Sequence, residues 1–326
     1  MVSPLEIILV PTLMIILGYF LKRTDILEAK DSNTLSKIVV NVSLPCLIFT
    51  NIINAKISGD MALLPVAAFG LSIVCMGIAF IYCKSRNYSK VKTWTIMIAT
   101  AMMNTGFLGY PITLGVFGNE GLVYAIFFDF STSIIFVVFG MILVSIFGGS
   151  RNQVIKTGLS FVPVWALLLG LIFNFSNIEL GYVIMNTLNY LGDSTVPLIM
   201  LSLGLTLEFK DIKEYLGDSL FIAVIRLIVS PIIIFIALTL IGYSSLGLKV
   251  AVLEAGMSTA MNALVLAITY KLDLKLMSSS IFTNVIISLF TLTFIIALFT
   301  WGKFFLFLNF FTIFYVFLIF DFMRTK

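Results

Sequence analysis

Long apolar runs recur along the whole chain, and short polar segments separate them. Each run has about 20 residues, the length at which an α-helix crosses a hydrocarbon core of roughly 30 Å. Charged clusters and Gly, Pro or Asn breaks divide the chain into ten segments: 4–21, 35–53, 61–83, 93–117, 121–147, 159–176, 182–207, 219–241, 246–270 and 276–299. The pattern therefore predicts an all-α polytopic membrane protein of about ten transmembrane helices.

A further apolar stretch at about 303–322 follows the tenth segment, and its core runs from Phe304 to Phe322. As an eleventh span it would place Arg324 and Lys326 inside the cell. Its phenylalanine-rich composition suits a helix lying in the membrane interface equally well. The sequence leaves both placements open.

Composition excludes a water-soluble domain, because 60% of the residues are hydrophobic and 11% are charged, against about 25% charged in soluble proteins. The chain has no histidine, and Cys46, Cys75 and Cys83 lie in or beside apolar runs without ligand spacing. We therefore expect no metal or cofactor and assign the cysteines to packing. Without HExxH, GxSxG or nucleotide-binding motifs, an enzyme or an ATP-driven pump is not expected.

Basic residues divide unequally between alternate connections. With the N-terminus outside, the inside connections collect Lys22, Arg23, Lys30, Lys84, Arg86, Lys90, Lys92, Arg151, Lys156, Lys210, Lys213, Lys271 and Lys275. The outside connections hold only Lys56, Lys249 and Lys303. The positive-inside rule then predicts a multi-pass cell-membrane protein with its N-terminus outside. The net charge of +4 is spread over these loops, so we expect the lipid bilayer, not nucleic acid, as the large partner.

The two halves of the chain resemble each other. The sequence from Asn41 to Pro45 has a counterpart from Asp193 to Pro197, 152 residues later. This offset predicts repeat one at about 1–147, a cytoplasmic linker at about 148–158 and repeat two at about 159–299, all within one membrane domain. Five spans is an odd number, so the second repeat enters the membrane inverted, as in secondary transporters.

The fourth segment contains Asn104-Thr105-Gly106-Phe107-Leu108-Gly109-Tyr110-Pro111. A continuous helix is not expected there, because Pro111 has no N–H and both glycines permit unusual backbone angles. Freed backbone groups cannot face lipid, so they line a cavity or bind a ligand. Half-helix N-termini would also attract anions at membrane depth. A simple proline kink is the alternative.

The ninth segment has a matching interruption, Glu254-Ala255-Gly256-Met257-Ser258-Thr259-Ala260-Met261-Asn262. Paired interruptions in corresponding places are typical of a transporter binding site. Ser258 and Thr259 either satisfy freed backbone groups or bond back to their own helix and merely bend it. The candidate substrate-binding residues are Asn104, Thr105, Gly106, Gly109, Pro111, Met257, Ser258, Thr259, Asn262, Asn41, Pro45 and Pro197.

These residues resemble the auxin efflux carrier family, which includes plant PIN carriers and bacterial malate and malonate permeases. The resemblance spans nearly the whole chain. It rests on Asn41 to Pro45, on Asn104 to Pro111, and on the Pro197 to Leu207 segment. It implies two inverted five-helix repeats with interrupted, crossing helices 4 and 9, and organic anions bound near the crossing. This chain departs from the family's usual Met-Pro pair at Met257-Ser258, which leaves the break in helix 9 open.

Four charged residues lie within the predicted spans, where each requires a partner or a hydrated cavity. Asp193 precedes Pro197 by one turn and occupies the repeat position of Asn41, so we favour it as a coupling or proton-carrying group. A helix cap, or an ion pair with Arg226 that specifies packing, is the alternative. Arg226 either binds a substrate carboxylate or pairs with an acidic side chain. Asp129 and Glu254 are expected near the outer face, where water reaches them.

The sequence therefore favours a secondary carrier that moves a small organic anion, such as a dicarboxylate or another weak acid, by alternating access. The alternative is a channel, a facilitated-diffusion pore or a membrane receptor on the same scaffold. Coupling to a proton, to sodium or to no ion stays open, as do the direction of transport and a homodimer.

Overall fold

The computed structural model describes residues 4–207, 212–244 and 246–301. The Phe304–Phe322 stretch, for which the sequence left two placements open, lies outside the described residues, as do Arg324 and Lys326.

The described part of the chain is helical, and a single antiparallel bridge joins Met103 and Thr259. The α-helices are α1 (Pro4–Arg23), α2 (Asp31–Ile38), α3 (Leu44–Ile53), α4 (Leu63–Ser85), α5 (Lys90–Ala101), α6 (Tyr110–Phe147), α7 (Arg151–Leu159), α8 (Val162–Phe175), α9 (Tyr182–Asp193), α10 (Thr195–Thr206), α11 (Ile212–Val224), α12 (Ser230–Leu240), α13 (Leu246–Ala255), α14 (Asn262–Thr269) and α15 (Leu274–Trp301). One helix, or two in succession, covers each of the ten apolar segments.

Three π-helical turns interrupt these helices at Val39–Ser43, Thr105–Gly109 and Ile225–Val229. Each turn ends two residues before a proline, namely Pro45, Pro111 or Pro231. Proline has no N–H and its ring collides with the carbonyl four residues earlier, so an ordinary α-helical turn is strained there. The wider π turn relieves this collision and leaves the chain helical on both sides.

The helix α6 contains a sharp corner at Gly118, whose φ of 65° and ψ of −163° are not helical. Positive φ costs glycine little because it has no Cβ. The corner separates the short helix that follows Pro111 from the long helix that runs on to Phe147. Segments four and five therefore meet at a corner in Gly118 and not through a longer loop.

The helices pack as two groups. In the first, which we call the frame, α1 packs against α10, and α3 packs against α8 and α9. In the second, the core bundle, α4 packs against α5, α6 and α12, α13 packs against α6 and α12, and α11 packs against α15. The frame and the core bundle meet where α1 touches α6 and α15, and where α3 touches α6.

Five helical segments of the described chain are long and apolar enough to cross a membrane: Asp31–Ile53, Gly59–Ser85, Thr105–Phe147, Glu214–Leu240 and Leu274–Phe299. The α7–α8 pair, bent by 47°, gives a sixth candidate if it is one broken span. Several other apolar segments are divided into shorter pieces, notably at residues 102–104 and 256–261. The described structure thus supports a multi-pass helical membrane protein.

Candidate functional site

Two interrupted helices cross at the centre of the core bundle. The helix α5 ends at Ala101, α13 ends at Ala255, and the segments that follow run antiparallel. The Asn104 N–H donates to the Ser258 C=O at 2.9 Å, and the Ala260 N–H donates to the Met102 C=O at 3.0 Å. These two bonds satisfy backbone groups that the broken helices have released.

The ninth segment is therefore interrupted, although it has Ser258 in place of proline. Neither polar side chain that we singled out there bonds back to its own helix. The Thr259 hydroxyl donates to the Ala99 C=O at 2.9 Å and accepts from the Asn284 amide at 2.8 Å. The Ser258 hydroxyl lies 3.5 Å from the Asn104 amide nitrogen. Contacts with the other interrupted helix hold the break open.

Arg226 lies beside the crossing and is fully buried. Its guanidinium donates to the carbonyls of Thr100 at 3.3 Å, Ala255 at 2.9 Å and Met257 at 3.3 Å, and to the Ser230 hydroxyl at 2.9 Å. Carbonyls in the last turn of a helix lack helical partners and carry partial negative charge. Arg226 therefore offsets the negative ends of α5 and α13. Among the described ion pairs it joins neither Asp193 nor another acidic residue.

Asp129 approaches the fourth-segment break from the long part of α6. One carboxylate oxygen accepts from the Thr105 hydroxyl, and the other accepts from the Tyr110 hydroxyl at 2.9 Å. The Thr132 hydroxyl lies 3.3 Å from that of Thr105. Hydroxyl donors at both oxygens offset part of the cost of burying this carboxyl group.

Glu254 is in a different environment. It is 0% exposed, so our expectation that water reaches it near the outer face is wrong. The cause is the start of α6, which packs directly over the carboxyl group. One oxygen, Oε1, accepts from the Thr113 hydroxyl at 2.6 Å, whereas Oε2 has no hydrogen-bond partner in the described structure. A Cβ added at Gly109 would come within 2.0 Å of Oε2.

A cavity of about 220 Å³ ends at the crossing, and we call it the crossing cavity. Its polar lining comprises Asn104, Asp129, Thr132, Ser133, Thr157 and Asn262. Its apolar lining includes Val40, Leu44, Met103, Phe107, Phe136, Phe161 and Val265. No lysine or arginine is among the described lining residues.

A second, more polar cavity of about 590 Å³ lies beyond the first, and we call it the vestibule. Its polar lining comprises Thr50, Asn51, Asn54, Lys56, Asn119, Glu120, Asn189 and Asp193. Along the second segment, Leu44 lines the crossing cavity and Leu47 lines the vestibule. Three residues rise about 4.5 Å in a helix, so less than one turn separates the two cavities there.

The structure brings part of the predicted site together. Asn104, Gly106, Asp129 and Asn262 line the crossing cavity, and Thr105 lies beside it through its bond to Asp129. Other predicted residues lie apart from the cavity lining. Asn41 is exposed, and its amide donates to the Lys37 C=O at 2.8 Å. Pro45 is buried, Pro197 is exposed, and Pro111 lies in the first turn of α6. Met257 is buried, and its carbonyl accepts from Arg226.

Sequence reasoning missed Tyr110, Thr113 and Asn284, which bond Asp129, Glu254 and Thr259 respectively. The sequence could have indicated Asn284, because a lone amide side chain within an apolar membrane segment needs a buried polar partner. Tyr110 and Thr113 carried a weaker one, because each stands close to Pro111 in a segment already assigned to the site.

The long apolar helices and their buried polar crossing define a multi-pass helical membrane protein. A sequence profile described as membrane transport protein matches residues 5–157 and 149–296. The chain therefore belongs to the membrane transport protein family. This match confirms the resemblance to auxin efflux carriers that the motifs had indicated.

Three curated relatives cover nearly the whole chain. A Methanothermobacter thermautotrophicus protein named "Uncharacterized transporter" is 41% identical over 289 residues, covering 88% of this chain and 95% of the relative. An uncharacterized transporter of Methanocaldococcus jannaschii is 35% identical over 310 residues, covering 91% and 98%. A Rhizobium meliloti protein named "Putative malonate transporter" is 24% identical over 294 residues, covering 86% and 91%. Family and relatives indicate a transporter and not an enzyme.

Proposed function

We propose that this protein is a secondary carrier that moves a small organic anion across the cell membrane by alternating access. The observation that carries the proposal is the crossing of two interrupted helices at the end of a cavity. At that end of the cavity, the Asn104 and Asn262 side chains are available to a ligand, and no lysine or arginine is among the described lining residues. In this proposal the ten segments are ten spans with the N-terminus outside.

Equivalent contacts in the two halves support an inverted repeat. Lys22 donates to the Leu207 C=O, and 152 residues later Asn174 donates to the Ala55 C=O at 2.8 Å, with the helices exchanged. Each donor caps the carboxyl end of a helix from the other half. Such reciprocal contacts are expected of two copies of one fold related by a two-fold axis.

A pair of glycine contacts follows the same relation. A Cβ on Gly18 would come within 2.4 Å of the Leu201 carbonyl oxygen, and a Cβ on Gly170 within 3.5 Å of the Phe49 carbonyl oxygen. Both positions are again shifted by 152 residues with the partners exchanged. Small residues permit helix backbones to approach in membranes, so the α1–α10 and α3–α8 contacts serve as equivalent crossings.

The two cavities support alternating access. In the proposed orientation, Thr157 of the cytoplasmic linker and Phe161 at the start of the sixth segment place the mouth of the crossing cavity inside. Lys56 and Asn119 place the vestibule outside. Frame helix α3 and core helix α6 contribute to the walls of both cavities. A small shift of the core bundle relative to the frame would close one cavity and open the other.

The crossing cavity favours a small weak acid as substrate. Its volume is below the roughly 300–1,000 Å³ typical of sites for drug-sized ligands. With no lysine or arginine among its described lining residues, one carboxylate is easier to accommodate than two. The N-terminus of α14, which begins at Asn262, would face that carboxylate. Malonate is included among the compounds to be tested because one relative is named a putative malonate transporter.

Counterflow in proteoliposomes separates a carrier from a channel. Vesicles are loaded with unlabelled malonate, malate, pyruvate or benzoate, then diluted into the same labelled compound at trace concentration. A carrier gives transient accumulation of label that saturates with concentration, whereas a channel merely lets the label equilibrate. The proposal fails if no compound of a broad organic-acid panel gives saturable exchange above protein-free vesicles.

A further inference from the structure

Two carboxyl groups lie on opposite sides of the break in the fourth segment. Asp129 lines the crossing cavity and would be 3.7 Å from a Cβ placed on Gly106. Glu254 lies against Gly109 and is fully buried. One short stretch of chain thus separates an acid that reaches the cavity from an acid that does not.

Among the described residues, Glu254 has no positively charged partner. On α6, the Thr113 hydroxyl donates to Oε1, and Tyr110 and Asp129 are the titratable neighbours. The positive residue nearest in sequence, Lys249, is exposed. The buried Arg226 donates to the Ala255 carbonyl and three other acceptors, not to the carboxyl group. From α4, Cys75 lies beside Arg226 and Ser230, and α12 has no titratable residue.

These contacts favour the neutral acid at Glu254. A buried carboxylate requires a cation or several hydrogen-bond donors, because the free energy of desolvating it exceeds the stabilisation from one hydroxyl hydrogen bond. Glu254 has one donor and a second oxygen without a partner. Asp129 has hydroxyl donors on both oxygens and an open cavity beside it. Of the two acids, Glu254 therefore has the weaker support for a charged carboxylate.

We propose that Glu254 is a proton-binding site, and that its proton crosses the membrane together with the substrate anion. This inference rests on the proposed carrier function. When the Thr105–Gly109 turn moves away from Glu254, the O–H bond of the carboxyl group breaks and the proton passes to water in the open cavity. A carboxylate then remains at Glu254. Isolated charges are costly within the membrane. A proton that moves together with the substrate anion cancels the negative charge that the anion brings into the protein.

A first experiment needs no substrate. Infrared spectra of the reconstituted full-length protein at neutral pH should contain the C=O stretch of a protonated carboxyl group. We expect Glu254→Gln to remove this band, Thr113→Val to shift it by removing the hydrogen bond, and the exposed-glutamate control Glu179→Gln to leave it unchanged. Absence of the band from the wild type, or its full retention in Glu254→Gln, overturns the proton site.

A second experiment tests coupling, using malonate and pyruvate as probes. With the membrane potential clamped to zero, one proton per substrate supports up to about tenfold accumulation per pH unit, since a tenfold ratio corresponds to one pH unit. The wild type should accumulate label down the proton gradient, and Glu254→Gln should give a ratio near one. Wild-type counterflow without gradient-driven accumulation contradicts the coupling and leaves the carrier intact. An infrared band without any counterflow contradicts the carrier and leaves the proton site intact.

Discussion

Replacing Arg226 by methionine should destabilise the crossing more than any comparable change at the protein surface. Methionine keeps the long unbranched side chain but removes the charge and every donor. The carbonyls of Thr100, Ala255 and Met257 and the Ser230 hydroxyl would all lose the guanidinium. The C-terminal ends of α5 and α13 would then face each other without a positive charge between them.

The magnitude follows from the number of acceptors left without a partner. Each buried acceptor deprived of its donor costs about 1–3 kcal/mol. Removing the guanidinium also removes the cost of burying it, which is roughly several kcal/mol. Three carbonyls would lose this donor, whereas the Ser230 hydroxyl would keep its contact with the Cys75 thiol at 3.1 Å. We therefore expect a net destabilisation of about 3 kcal/mol, within the range of buried-network losses. At roughly 2–4 °C per kcal/mol, the melting temperature should fall by about 6–12 °C.

Thermal unfolding of purified protein in one detergent, followed by intrinsic fluorescence, measures this change. Arg86→Met is the matched control, because Arg86 is exposed on the α4–α5 connection, where its guanidinium overlies the Tyr82 ring at 5.7 Å. Arg226→Lys should lie between the wild type and Arg226→Met, since an ammonium restores the charge but not the fork. A melting temperature for Arg226→Met within about 2 °C of the control would refute the reasoning.

Two further substitutions test close backbone approaches. Gly204→Ala should lower the melting temperature by several degrees, because the new Cβ would come within 2.1 Å of the Ile15 carbonyl oxygen. The control Gly77→Ala adds a methyl group to open space. Equal effects of the two substitutions on the melting temperature would contradict the α1–α10 packing. Gly109→Ala should reduce counterflow at least tenfold by colliding with Glu254 at 2.0 Å, and adding Glu254→Ala should restore part of it. A double variant no better than Gly109→Ala would disprove that explanation.

The elements that sequence reasoning located are those with local causes. Apolar periodicity gave the helical segments to within a few residues, and the fourth segment breaks where Gly106, Gly109 and Pro111 remove the usual support for an α-helix. The π turn at Val39–Ser43 also has a local cause in Pro45. The ninth segment was harder, because its break depends on hydrogen bonds from another helix.

Features that depend on tertiary packing could not be predicted. No local pattern tells whether Arg226 meets a carboxylate or a set of helix carbonyls, since both satisfy the same donors. Water was expected at Glu254 because the residue was placed close to the outer face, whereas Gly109 allows the start of α6 to pack directly over it. Asn262 was located by its place in a motif, but its exposure to the cavity depends on how α14 begins.

The central claim, that the crossing of the interrupted helices binds the transported anion, is tested most directly at Asn104. This residue is 3% exposed, lines the crossing cavity and donates its backbone N–H to Ser258. Counterflow of the best exchanged panel compound should be compared in wild type, Asn104→Ala and the exposed-asparagine control Asn152→Ala, at equal amounts of folded protein. The account predicts at least tenfold weaker exchange in Asn104→Ala and wild-type exchange in the control. Wild-type half-saturation and rate in Asn104→Ala would contradict it.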